Sequence, residues 1–308
     1  MRKTAAALGL LCAVTVMLFF PVLFQGRVLL PGDYLAHFSP WKSEHPPDLQ
    51  WNPLMWDAIA QSYPWRLYLH EWMARGVIPL WNPHQFCGAP FLANLQSAAF
   101  YPPNLILVFF DPAAALGFSA ALHLLLAAIG VFFLCRRLGV SVAGAALSGV
   151  CFGFCTFLVS WAELPTVICT IAWLPWIILA VDWLFDRPSA SRASVLAVLL
   201  ALSVLGGHLQ MAFYCALTTA LWTVRCAFLH RRDRRHLAWG LALAICATIV
   251  ALLLVSAQIM PTASPAIPND AVARMRSNWM TTNLLMSTRI SAASAATASP
   301  RMANDSII

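Results

Sequence analysis

Seven apolar stretches punctuate the chain: Ala5–Phe24, Ala113–Leu134, Val140–Trp161, Thr166–Phe185, Ala193–Leu205, Leu209–Phe228 and Leu237–Ala257. A membrane-crossing helix needs about 20 such residues, and all but the short Ala193–Leu205 arm meet that length. The pattern predicts an all-α polytopic membrane protein of about seven transmembrane helices. Between the first and second stretches lies a long segment, 26–111, with no apolar run long enough to cross. Within it, Leu54–Ala74 repeats its apolar positions at helical spacing and carries Trp56, Trp65 and Trp72, as an amphipathic helix in the membrane interface would. Pro79, Pro83, Pro90, Pro102 and Pro103 then break regular structure, which predicts a compact, aromatic-packed loop.

Composition agrees with the pattern. The chain of 308 residues is 60% hydrophobic and 10% charged, with a mean hydropathy of +0.73. Soluble domains are about 45–50% apolar and about 25% charged. The net charge of +7 is no nucleic-acid signature, because the basic residues sit in short clusters between spans. Arg2 with Lys3, Arg136 with Arg137, Arg187 with Arg192, and Arg231, Arg232, Arg234 and Arg235 fall at alternate connections. Placing all four on the cytoplasmic side satisfies the positive-inside rule. The N-terminus is then cytoplasmic, and the 26–111 loop, the Ala162–Pro165 turn and the Gly206-Gly207-His208 hairpin face outward. Ala5–Phe24 lacks a small-residue cleavage site after it and reads as an uncleaved signal anchor. The organisation expected is a first helix (1–25), an extracytoplasmic loop (26–111), a helix bundle (112–261) and a tail (262–308). The tail, rich in Ala, Ser, Thr, Met and Arg, reads either as disordered or as translated out of frame. Of nine cysteines, only Cys87 lies in the loop, so no disulfide framework or zinc site is expected.

The polar chemistry is concentrated in the loop. Asp57 and Gln61 are four apart and share a helix face; Asp33 follows Pro31-Gly32. A carboxylate at the bilayer surface can act as general base on a hydroxyl or help hold a divalent metal, and either aspartate can equally be a solvated turn cap. Arg66 and Arg75 suit phosphate binding, with membrane-surface anchoring as the alternative. His208 can meet a ligand in an outward cavity or satisfy a backbone group at its turn. Glu163 stands at an outward helix end. Asp182 and Asp186 read as local ion-pair partners of Arg187.

The run Gly32-Asp33, Gln61…Pro64-Trp65, Gly76–Pro83 (GVIPLWNP), Gly88–Ser97 (GAPFLANLQS) and Tyr101-Pro102-Pro103-Asn104-Leu105, with Gly207-His208-Leu209-Gln210 and Ala257-Gln258…Pro261, resembles the bacterial YfhO-family membrane proteins. The resemblance covers roughly residues 5–261. It implies a GT-C-type glycosyltransferase architecture with a large first outward loop that holds the catalytic acid. It further implies inverting transfer of a sugar from a polyprenyl-phosphate carrier to a cell-envelope acceptor, in the bacterial inner membrane. Asp57 and Asp33 are the candidate acids. Arg66, Arg75, Gln61, His208, Asn94 and Gln96 are candidate substrate-binding residues, and Mg or Mn is a possible metal. Members of that family are usually more than twice this long, so the resemblance also implies a truncated chain. The rival readings are a non-enzymatic protein that binds or moves a lipid-linked sugar, and an inactive fragment. A transporter should carry polar residues within its spans, and here the spans are almost uncharged.

Overall fold

The structure, a computed structural model, describes residues 2–43, 52–85 and 88–263. Its main helices are α1 (Arg2–Leu18), α2 (Tyr63–Met73), α3 (Pro112–Arg137), α4 (Val142–Ser160), α5 (Pro165–Asp186), α6 (Ala190–Leu205), α7 (Leu209–Leu229) and α8 (Arg234–Ala263). The one sheet among the described residues is a two-residue antiparallel pair, β1 (Trp81–Asn82) with β2 (Ala89–Pro90). Of these helices, α3, α4, α5, α7 and α8 are long and apolar enough to cross a membrane, so the chain is an all-α polytopic membrane protein. The expected first span is divided: α1 stops at Leu18, and a separate turn, Phe20–Phe24, follows with Pro21 in its first positions. A proline ring clashes with the carbonyl four residues earlier, which explains the break. At 17 and 16 residues, α1 and α6 fall short of the length that marks the other five.

Local signals set the helix ends. Asp111 Oδ1 accepts from the Ala113 and Ala114 amides, Pro112 takes the first position of α3, and Arg136 and Arg137 close its last turn, as capping and dipole arguments require. Ser141 Oγ accepts from Gly144 N at the start of α4. Burial sorts the bundle. Of the apolar window of α5, 67% is buried, against 17% for α7 and 22% for α8. Thus α5 is central, and α7 and α8 present Leu217, Leu221, Val224, Ile249, Leu252 and Leu253 outward, as lipid-facing helices do. Small residues let α3 and α4 approach: a Cβ on Gly149 would lie 2.7 Å from Ala128 O, and one on Gly153 2.6 Å from Ala128 Cβ. With no hydrophobic drive between helices in lipid, close backbone packing at such residues holds them together.

The two ends of the bundle differ in chemistry. At one end Arg137 pairs with Asp182 (2.7 Å) and Asp186 (3.3 Å), Arg192 with Asp186 (3.8 Å) and Arg225 with Asp182 (3.7 Å). The expected partner Arg187 is not in this network; its backbone has already turned extended past α5, and cations from α3, α6 and α7 meet the carboxylates instead. The opposite end carries the loop. There, 53–73 is helical throughout but passes through a π-helical turn at Ala58–Ser62. Of its three tryptophans Trp65 is buried, and Trp56 and Trp72 are half-buried. Trp65, Leu67, Tyr68 and Leu69 are buried against Phe91 and Ala115. Residues 44–51, Cys87 and most of the predicted tail (264–308) lie outside the described residues, and 262–263 continue α8.

Overpacking a tight interface costs about 1–3 kcal/mol. Gly153→Leu should therefore lower the thermal midpoint of the detergent-solubilised protein, whereas Leu147→Ala, at an exposed position of the same helix, should not. Equal melts for the two variants would contradict the α3/α4 packing.

Candidate functional site

The loop is docked on the bundle by buried polar groups. Arg66, 2% exposed, donates from Nη1 to the Ser97 carbonyl at 2.7 Å. Gln258 of α8, 1% exposed, donates from Nε2 to Leu92 O at 2.7 Å and accepts from Phe100 N at 3.2 Å. Asn104 donates to Ala98 O at 2.6 Å; Ala98 itself holds a left-handed φ of 46°. The Tyr101 hydroxyl meets His123 Nε2 at 2.6 Å and accepts from Trp173 Nε1 at 2.8 Å. Gly207, at φ +100°, packs so closely that a Cβ would lie 2.9 Å from Leu95 O. Buried polar groups must be paired to be tolerated, so these bonds place segment 91–104 firmly.

That placement closes a cavity of ≈ 190 Å³ between loop and bundle, lined by Leu54, Asp57, Gln61, Ser62, Gln96, Trp161, Leu164, Thr166, Val167 and His208. Four of the residues singled out in the sequence, Asp57, Gln61, Gln96 and His208, converge here from three separate parts of the chain. Asp57 is half-buried, and its Oδ1 accepts from Gln61 Nε2 at 2.8 Å. Both sit at the π-helical turn, a feature frequent at functional sites. Asn94 does not line the cavity; its side chain accepts from Gln96 N at 3.1 Å and so orients the short turn that carries Gln96. His208 caps α7 by accepting from Met211 N on Nδ1 (3.3 Å). The neutral ring then keeps its proton on Nε2, available as a donor. Burial pushes its pKa below the ordinary value, and Trp161 stands edge-on to it at 6.4 Å.

Other candidates lie elsewhere. Asp33 is exposed on the turn Gly32–His37, outside the cavity wall. Arg66 is buried within the protein and does not line the cavity, and burial lowers its pKa; its guanidinium is bonded to the Ser97 carbonyl. Arg75 is exposed and stacks over Trp72 at 5.6 Å. Glu163 has Oε2 buried without a hydrogen-bond partner, and desolvation raises its pKa. Sequence reasoning missed Ser62, Thr166, Leu164 and Val167, because only the fold brings the α4–α5 turn against the loop. Among the described residues no group of three or more His, Cys, Asp or Glu could hold a metal ion. The cavity offers one carboxylate, with one oxygen already bonded to Gln61, so its donor set does not fit a dedicated metal cage.

Both titrating groups make stability depend on pH. Folded His208 favours the neutral form, so its contribution is present above the usual histidine value of about 6.5 and is lost as pH falls. The thermal midpoint of wild type should drop on acidification from pH 7 to 5, and less steeply in His208→Asn. Folded Glu163 favours the protonated form, so its contribution is present below the usual glutamate value and is lost as pH rises through the raised one. Glu163→Gln should raise the midpoint at pH 8 more than at pH 4; a constant offset at both would contradict this. Comparison of the chain with protein families, with curated proteins and with solved structures finds no match.

Proposed function

We propose that the chain is a GT-C-like, YfhO-type membrane glycosyltransferase that moves a sugar from a polyprenyl-phosphate carrier to a cell-envelope acceptor. In this reading α1 and α6 also cross, giving seven spans in the bacterial inner membrane. The basic end and the N-terminus are cytoplasmic by the positive-inside rule, and the loop and cavity face outward. The observation that carries the reading is the convergence of Asp57, Gln61, Gln96 and His208 on one cavity at the loop end.

The residues can divide the chemistry as follows. The acceptor hydroxyl oxygen attacks the anomeric carbon from the side opposite the phosphate. The bond between that carbon and the phosphate oxygen breaks, and polyprenyl phosphate leaves with the electron pair. Asp57 takes the hydroxyl proton on the oxygen that Gln61 does not occupy, which makes it the general base. Gln96, Thr166 and the His208 Nε2–H supply hydrogen bonds to sugar hydroxyls or phosphate oxygens. Trp161 offers an apolar face for a sugar ring. Arg66 acts through Ser97 as a positioning residue. The cavity is smaller than the roughly 300–1,000 Å³ of sites for drug-sized ligands, so it suits one sugar ring, with the polyprenyl chain left in lipid. Asp33 is the less favoured acid because it is outside the cavity.

General-base catalysis contributes about 10²–10⁴-fold. In membranes carrying the protein, transfer of radiolabelled sugar from a polyprenyl-phosphate donor to envelope polymer should fall by about that factor in Asp57→Asn and persist in Asp33→Asn. Full activity in Asp57→Asn would overturn the assignment. Tight donor binding without transfer by wild type would favour a lipid-linked-sugar binder.

A further inference from the structure

A second cavity lies at the basic end, far from the site above. Its volume is ≈ 540 Å³, and it is bounded by the start of α6 (Pro188, Ser189, Ala190) and the first turns of α8 (Asp233, Arg235, His236, Trp239, Leu243). Arg235, Trp239 and Leu243 are spaced by four residues and form one stripe on α8. At 1.5 Å per residue the stripe runs about 12 Å along the helix, from a cation through an exposed aromatic (58%) to an aliphatic side chain. That order matches a lipid: phosphate at the surface, glycerol at the aromatic level, acyl chain below. The one carboxylate in the wall is committed elsewhere, since Asp233 Oδ1 accepts from His236 N at 3.0 Å and caps α8. His236 is held in place by its ring, which donates from Nε2 to Phe185 O at 2.6 Å and stacks on His230 at 5.1 Å. Arg231 is drawn away over Phe228, while Arg235 stays exposed at the rim.

We propose that this cavity is a binding site for an anionic phospholipid, whose phosphate meets Arg235 and the amide end of α6 and whose acyl chain follows Trp239 and Leu243. A free phosphate would have no use for the lower half of the stripe.

The test is native mass spectrometry of the full chain in detergent with equimolar phosphatidylglycerol and phosphatidylcholine of matched acyl chains. Wild type should retain phosphatidylglycerol in preference. At about 1 kcal/mol per basic residue near an anionic surface, Arg235→Gln should lower that preference about fivefold. Trp239→Ser should also weaken retention, and 10 mM inorganic phosphate should not displace the lipid. Arg2→Gln with Lys3→Gln, which removes charge from the same end outside the cavity, should leave the preference intact. Equal retention of the two lipids by wild type, or an unchanged preference in Arg235→Gln, would overturn the proposal. So would displacement by phosphate, or as large a loss in the Arg2/Lys3 variant, which would mean a free-anion site or unspecific attraction. Arg2, Lys3, Arg235 and Trp239 are all exposed, so each variant should keep the wild-type thermal midpoint.

Discussion

The docking of the loop onto the bundle by a few buried hydrogen bonds is the constraint on which the candidate site depends. Gln258, near the end of α8, reaches Leu92 O and Phe100 N across 166 and 158 residues of sequence. Arg66 holds Ser97 from the other side. A buried donor or acceptor left without its partner costs about 1–3 kcal/mol, and a buried guanidinium more. The loop therefore has one low-energy seat. Because Gln96 lies in the clamped segment and Asp57 and Gln61 on the helix that carries Arg66, the same bonds that seat the loop also shape the cavity.

The clamp also accounts for the run of motif residues in the loop. Asn94 orients Gln96, Ser97 accepts from Arg66, Tyr101 anchors to His123 and Trp173, and Asn104 holds the left-handed Ala98. Gly207 admits the loop backbone where any side chain would collide with Leu95. Most of the polar side chains in that stretch support the site, and few of them can touch a ligand.

The helices were legible from apolar length because that signal is local, whereas their capped starts at Asp111 and Ser141 came only with the structure. The break after α1 at Pro21 was hidden by an uninterrupted apolar run. The pairing of Asp57 with Gln61 followed from their spacing. The burial of Arg66 did not: an arginine among tryptophans in an interfacial pattern reads as a phosphate ligand or a surface anchor, and only the packing of 91–104 over α2 removes it from water. Ser62 and Thr166 were silent for the same reason, since a cavity wall assembled from distant turns leaves no periodic trace. Asp182 and Asp186 were recognised as paired, but their cations come from other helices.

The central claim is that the cavity between loop and bundle is where a lipid-linked sugar sits. Gln96 lies on its exposed rim, so Gln96→Trp fills the cavity without disturbing the buried clamp. The direct measurement is the affinity of purified wild type and Gln96→Trp for a polyprenyl-phosphate hexose in detergent. The account predicts saturable binding by wild type and a loss of tenfold or more in the plugged variant with an unchanged thermal midpoint. Equal affinity in the two proteins would place the ligand elsewhere and contradict it.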